Sequence, residues 1–201
     1  MKVSRTIAVS VLMVLFLAIG VRYGQGILVG YAVKGVEYAA QGEFKRAKEE
    51  LEKALKVDPF LTPLKMSLKV IEDVIEQRIK RKVGIHLFKG TAYNIKGRRD
   101  KAIAEYNKAI EINPRYAPAY LIRGQAYRGK SQYDRAFSDL NKALKINPRL
   151  AAAYFNKALA CEMTGRTREA IEAYRGFIKY APPQLAPYIK HAGQRIKELG
   201  R

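Results

Sequence analysis

The sequence predicts an all-α protein, a right-handed α-solenoid of stacked helix-turn-helix hairpins with an apolar N-terminal helix and a C-terminal capping helix. Three observations carry this expectation. Residues 107–124 and 141–158 lie 34 positions apart and agree at ten of eighteen positions, including Asn-Pro-Arg and the pairs Ala119/Ala153 and Tyr120/Tyr154. Prolines punctuate each period, at Pro59, Pro114, Pro148 and Pro182. Small residues recur in phase between them. A fixed period of this length arises when each helical unit buries its apolar face against the next.

Taken in order, the chain begins with Lys2 and Arg5 ahead of an uncharged run, 6–21. A basic start followed by an apolar run directs a chain to the export machinery. The run suits either an uncleaved anchor, completed by Arg22 and Tyr23 at the head-group level, or a cleaved signal ending near Ala18-Ile19-Gly20. With Lys2 and Arg5 on the cytoplasmic side, the array is expected on the extracytoplasmic, periplasmic side: membrane-anchored if the leader stays, soluble or secreted if it is cut.

Four units of the period follow, 28–61, 83–116, 117–150 and 151–184. Counted within each, the eighth residue is Gly35, Gly90, Gly124 and Ala158, and the eleventh is Tyr38, Tyr93, Tyr127 and Cys161. The twentieth is alanine in all four, at Ala47, Ala102, Ala136 and Ala170. The twenty-seventh is Ala54, Ala109, Ala143 and then Phe177, so looser packing is expected in the last unit. Glycines at 42, 97 and 165 allow the left-handed backbone that ends a first helix. The prolines stop the second.

Between the first two units lies an insertion, 62–82. Thr62 and Pro63 suit a helix start. Leu64, Leu68, Ile71, Ile75 and Ile79 form a stripe that runs in phase into Val83 and His86. One helix of about 34 residues, on the order of 50 Å, is the simplest reading, and a break near Gly84 is the alternative. The chain closes on 185–201, where Tyr188 and Ala192 keep the register of another first helix. Lys190, Gln194, Lys197 and Glu198 mark the solvating side of a cap.

These residues resemble the tetratricopeptide repeat over about 136 positions. The resemblance implies a non-enzymatic scaffold whose inner wall, built from first helices, binds an extended or helical peptide. The wall would take Val29, Val33 and Val36 from the first unit and Leu87, Phe88, Thr91 and Asn94 from the second. The third supplies Leu121, Gln125 and Arg128, and the fourth Phe155, Asn156, Leu159 and Glu162. Apolar pockets would supply affinity and the amides and Arg128 would hold backbone groups. Leu121→Glu with Leu159→Glu is therefore expected to abolish capture without unfolding. Relatives that clamp a C-terminal carboxylate use Lys and Asn where this chain has Leu87 and Thr91, so that signature is absent.

Charge suggests a competing surface. The net charge is +20, from 38 basic and 18 acidic residues. Unit 28–61 is neutral, 83–116 carries +4 and 117–150 carries +5. Arg98, Arg99, Lys101, Arg123, Arg128, Lys130 and Arg135 gather near the hairpin turns. They make either a solvated face or a contact for anionic lipid or an acidic partner. Nucleic acid is disfavoured, because the aromatics occupy packing positions rather than stacking platforms among the cations. No metal-ligand spacing, phosphate-binding loop or nucleophile motif is present, so neither enzyme activity nor a cofactor nor a metal is expected. Cys161 stands in a tyrosine slot and reads as a buried thiol. A single cysteine excludes a disulfide within the chain.

Overall fold

The computed structural model describes residues 25–58 and 62–201. The leader and Pro59 lie outside the described residues. Among the described residues there are ten α-helices, one short 3-10 turn and no strand. None of these helices is long and apolar enough to cross a membrane. The chain divides into two compact units, the second beginning at Pro114.

The first unit holds α1 (Gln25–Gln41), α2 (Phe44–Val57), α3 (Thr62–Ile75), α4 (Arg81–Ile95) and α5 (Arg99–Ile112). Helices α1–α2 and α4–α5 are antiparallel hairpins. Each turns on a glycine in the left-handed region, Gly42 at φ 87° and Gly97 at φ 72°. Close approach is what the eighth position requires. A Cβ on Gly90 would sit 2.3 Å from the Tyr106 ring, and Tyr106 is almost completely buried against it. The same offset of sixteen residues sets Gly35 against Leu51.

The long-helix expectation is corrected here. Helix α3 ends at Ile75 and α4 begins at Arg81, and the break falls before Gly84, which lies inside α4. Gln77 takes a left-handed φ of 57°, and the Ile79 amide donates back to the Asp73 carbonyl at 3.0 Å. The physical reason is the buried face of α3, formed by Leu64, Val70, Ile71 and Val74. Ile75 lies off that face and is 40% exposed. A straight continuation would not return Ile79 to the core, whereas the turn buries it. Asp73 secures the turn by accepting from Arg78 at 2.7 Å and Lys69 at 2.9 Å. As a result α3 packs on α2, while α4 packs directly along α1.

The second unit holds α6 (Ala117–Gly129), α7 (Tyr133–Ile146), α8 (Ala151–Met163), α9 (Thr167–Tyr180), a 3-10 turn (Pro183–Leu185) and α10 (Ala186–Leu199). The α8–α9 turn uses Gly165 at φ 69°. The α6–α7 turn places Ser131 at the equivalent position with φ 58°, a left-handed residue without glycine's freedom. Here each second helix packs against the next first helix, α7 on α8 and α9 on α10, so α10 occupies the slot of a further repeat.

The expected looseness around Phe177 is corrected. Phe177 is buried, with its ring centroid 4.9 Å from that of Phe155. It joins Ala158, Tyr174, Leu185 and Ala192 in one apolar cluster. The larger ring packs into this cluster at the end of the array that α10, rather than a full repeat, closes.

Candidate peptide-binding site

Within the second unit, α6 and α8 bring three polar wall residues together. Gln125 and Arg128 lie one turn apart on α6, and the nearly buried Asn156 lies midway along α8. The Arg128 guanidinium reaches toward Asn156, with Nη2 3.5 Å from Oδ1. Asn156 Nδ2 donates to the Ala152 carbonyl at 2.8 Å, which turns its oxygen toward the arginine. Leu159, three residues on and half-buried, supplies an apolar edge. This arrangement presents hydrogen-bonding groups in fixed directions beside an aliphatic side chain, which suits an extended segment.

Other proposed wall residues are placed differently. Leu121 is completely buried. Leu121 therefore packs in the core and is not offered to a ligand. In the fourth repeat, α10 covers two of the residues that the sequence assigned to the wall, Phe155 and Glu162. The Phe155 ring meets Tyr188 edge-on at 5.8 Å and lies 6.4 Å from His191. Glu162 accepts two bonds from Arg195, from Nε at 3.1 Å and from Nη2 at 2.8 Å. Arg195, absent from the sequence-derived set, lies almost one period beyond Glu162. The repeat register gives the signal that would have found it.

Glu162 also makes this end of the array sensitive to acid. Burial pushes its carboxyl upward, but the Arg195 hydrogen bonds, together with the Arg195 charge and smaller contributions from Tyr174 and His191, outweigh it and hold the group below the ordinary carboxylate value of 4.5. A group with a lowered folded value contributes stability above that ordinary value and loses it as pH falls through the folded one. Arg195→Met is thus expected to lower the melting temperature more at neutral pH than in acid well below the ordinary carboxylate value, where the pair is progressively lost. Equal losses at both pH values would exclude the ion pair as the cause.

In the first unit, Leu87 and Phe88 are buried, while Thr91 and Asn94 on α4 are half-buried. Phe88 packs against Phe44, with ring centroids 6.4 Å apart, and Thr91 Oγ1 donates to the Leu87 carbonyl at 3.0 Å. His86 does more than pack: its Nδ1 lies 2.8 Å from Glu105 Oε2 on α5. Burial pushes the Glu105 carboxyl up, but hydrogen bonds from Lys108 and His86 prevail and hold it low. The inserted helix also opens a cavity of about 850 Å³ whose lining includes Phe44, Val74, Ile79, Lys80 and Arg81. Nothing in the sequence pattern announced it, since it depends on the break at 76–80.

The basic face is less uniform than its sequence suggests. Arg98, Arg99 and Lys101 are exposed, and Lys101 lies over the Tyr93 ring at 6.0 Å. Arg135 is exposed over Tyr127 at 5.7 Å, and Lys130 is half-buried. Arg123 is corrected from free cation to structural one. Its Nε and Nη2 donate to Asp139 at 2.8 and 2.6 Å. Burial works against its charge, but the Asp139 carboxylate outweighs that and holds the proton more tightly than usual. Asp139 follows Arg123 by sixteen residues, the offset that also sets Gly90 against Tyr106.

Cys161 is completely buried, and burial pushes its thiol up to about 11. Such a thiol is a poor nucleophile at neutral pH. Among the described residues, no group of histidine, cysteine and acidic side chains is arranged to hold a metal ion.

Comparison with known proteins agrees with this architecture. A family model described as TPR repeat matches residues 90–129. Two described as tetratricopeptide repeat match 121–186 and 30–60. No curated protein matches the chain. Among solved structures, the Arabidopsis OM64 TPR domain is 26% identical over 58% of this chain and 93% of its own, with a TM-score of 0.53. The first TPR of Spaghetti (RPAP3), bound to the HSP90 peptide SRMEEVD, is 23% identical over 60% of this chain and 94% of its own, with a TM-score of 0.54. The TPR2AB domain of yeast Sti1, in a pHSP90 complex, is 19% identical over 98% of this chain and 79% of its own, with a TM-score of 0.56. At this identity the likeness is one of fold. The family is in general a non-catalytic platform for protein–protein interaction. With hairpins that recur every 34 residues from 83 onward, small positions set against large ones, and family models matching along most of the array, the chain belongs to the tetratricopeptide-repeat family.

Proposed function

We propose that the chain is a non-enzymatic scaffold that binds a peptide or protein segment on the α6–α8 wall of its second unit. The observation that carries this reading is the placing of Gln125, Arg128 and Asn156 beside Leu159, with the Arg128 guanidinium held by Asn156 and short of a full set of hydrogen bonds. The reading extends to location. Lys2 and Arg5 ahead of the apolar run 6–21 support tethering to a membrane, with the repeats on its extracytoplasmic side and a role in cell-envelope assembly. A charge-driven adaptor for anionic lipid is the second reading, favoured by the exposed Arg98, Arg99 and Lys101.

A photo-crosslinking residue at Gln125, compared with one at exposed Lys142, separates the two in intact cells. A discrete adduct at Gln125 that disappears with Leu159→Glu and survives salt of roughly 1 M is expected, because apolar contact is not screened. Adducts at both positions that collapse with salt would replace the wall with the charged face. Sequencing the N-terminus of the same material shows whether the leader is retained.

A further inference from the structure

The other arginines that leave water at helix contacts in the second unit take an acid with them. Arg123 has Asp139 and Arg195 has Glu162. Arg128 does not. Its Nε is sealed from solvent without a hydrogen-bond partner. Its contact with the amide oxygen of Asn156 is long at 3.5 Å and carries no charge. No acidic side chain among the described residues forms an ion pair with it. Burial weakens its hold on the proton, and Tyr133 provides the only opposing influence. A guanidinium stripped of water in this way is a cost to the folded chain unless something supplies the anion. Arg128 sits half-buried on the wall, beside Gln125 and toward Asn156, so an incoming segment can supply it.

We infer that Arg128 is the receptor for a carboxylate of the bound segment, with Leu159 taking an aliphatic side chain next to that acid. The inference rests on the α6–α8 wall being a peptide site. A carboxylate is planar and carries two acceptor oxygens, so the outer Nη groups gain charge-assisted hydrogen bonds, and the sealed Nε–H registers the compensated charge through the same delocalised cation. An amide or hydroxyl offers one such contact and no compensating charge. The carboxylate comes from an internal Glu or Asp, or from a chain terminus.

Three probes distinguish these sources in the full-length, nitrogen-15-labelled chain held in neutral detergent. They are acetyl-Leu-Glu-Leu-amide, acetyl-Leu-Gln-Leu-amide, and acetyl-Leu-Gln-Leu with a free carboxyl terminus. The Arg128 Nε–H and the α6 and α8 amides are followed on titration. The expected result is a shift of the Arg128 Nε–H with the Glu probe and binding about tenfold tighter than for the Gln amide, a difference that disappears in Arg128→Met. Arg128→Lys, which keeps the charge and loses the fork, should retain part of it. Tighter binding of the free-terminus probe than of the Glu probe would assign the terminal carboxylate as the source. Equal binding of the Glu and Gln amides, with α6 and α8 amides shifting, would overturn the receptor and leave the wall. Absence of any shift on α6 and α8 with all three probes at millimolar concentration would overturn both. The wild-type comparison decides even if Arg128→Met fails to fold, and a melting temperature no lower than wild type in that variant would exclude a structural role.

Discussion

Leu121→Glu unfolds the second unit, whereas Leu159→Glu leaves it folded. Leu121 has no exposed surface, so the substitution removes a full leucine from the core and puts a carboxylate in its place. Losing the apolar burial costs about 2–3 kcal/mol. Burying the new carboxyl, or neutralising it to avoid that, costs about 2 kcal/mol more. A combined loss of about 4–5 kcal/mol is most of the stability of a small domain, which is about 5–15 kcal/mol. Leu159 is half-buried, and a charge there can turn toward water at a cost of about 1 kcal/mol. Urea unfolding followed by circular dichroism measures both. A wild-type midpoint for Leu121→Glu would show that the buried position is wrongly placed. The expectation that both changes leave the array folded thus holds only for Leu159, and only that variant tests binding cleanly.

Arg123→Met is expected to destabilise the chain by about 3 kcal/mol, the second-largest effect. The Asp139 side chain is 7% exposed and Arg123 is 19% exposed. Removing the guanidinium strands a buried carboxylate and also removes the cation from between Tyr120 and Tyr127, whose ring centroids lie 5.6 and 5.9 Å from it. The pair itself contributes less than its breakage costs, because both ions paid desolvation to form it. Arg123→Met with Asp139→Leu should therefore recover most of the loss. A double-mutant cycle by thermal melting reads the coupling directly. Additive effects would show that the two side chains do not act as a pair. Contact with anionic lipid, by contrast, should be little affected by Arg123→Met, since this cation is already spent.

Much of the fold was legible because its signals are periodic and local. Gly42, Gly97 and Gly165 fall where a helix must end in the left-handed region, and all three do so. The eighth-position glycines stand where a large side chain arrives from the partner helix, as Gly90 and Tyr106 show. Ser131 holds the equivalent turn without glycine, which register predicts and composition does not. The candidate wall was less legible. Position in the repeat named Leu121, Phe155 and Glu162 as readily as Gln125 and Arg128. Their availability depends on which neighbours arrive: core side chains around Leu121, and α10 over Phe155 and Glu162. Arg128 and Arg123 look alike in sequence. They differ only because Asp139 reaches one and no acid among the described residues reaches the other.

From the order of residues alone came the helical class, the 34-residue hairpin unit and the small-against-large pairing within each hairpin, because these follow from spacings along one or two helices. The break at 76–80, the direct packing of α4 along α1, the wall residues that α10 covers and the pairing of charges were settled only in three dimensions. Each depends on which side chains meet once the helices pack, where burial and the supply of a partner, rather than periodicity, decide the energy.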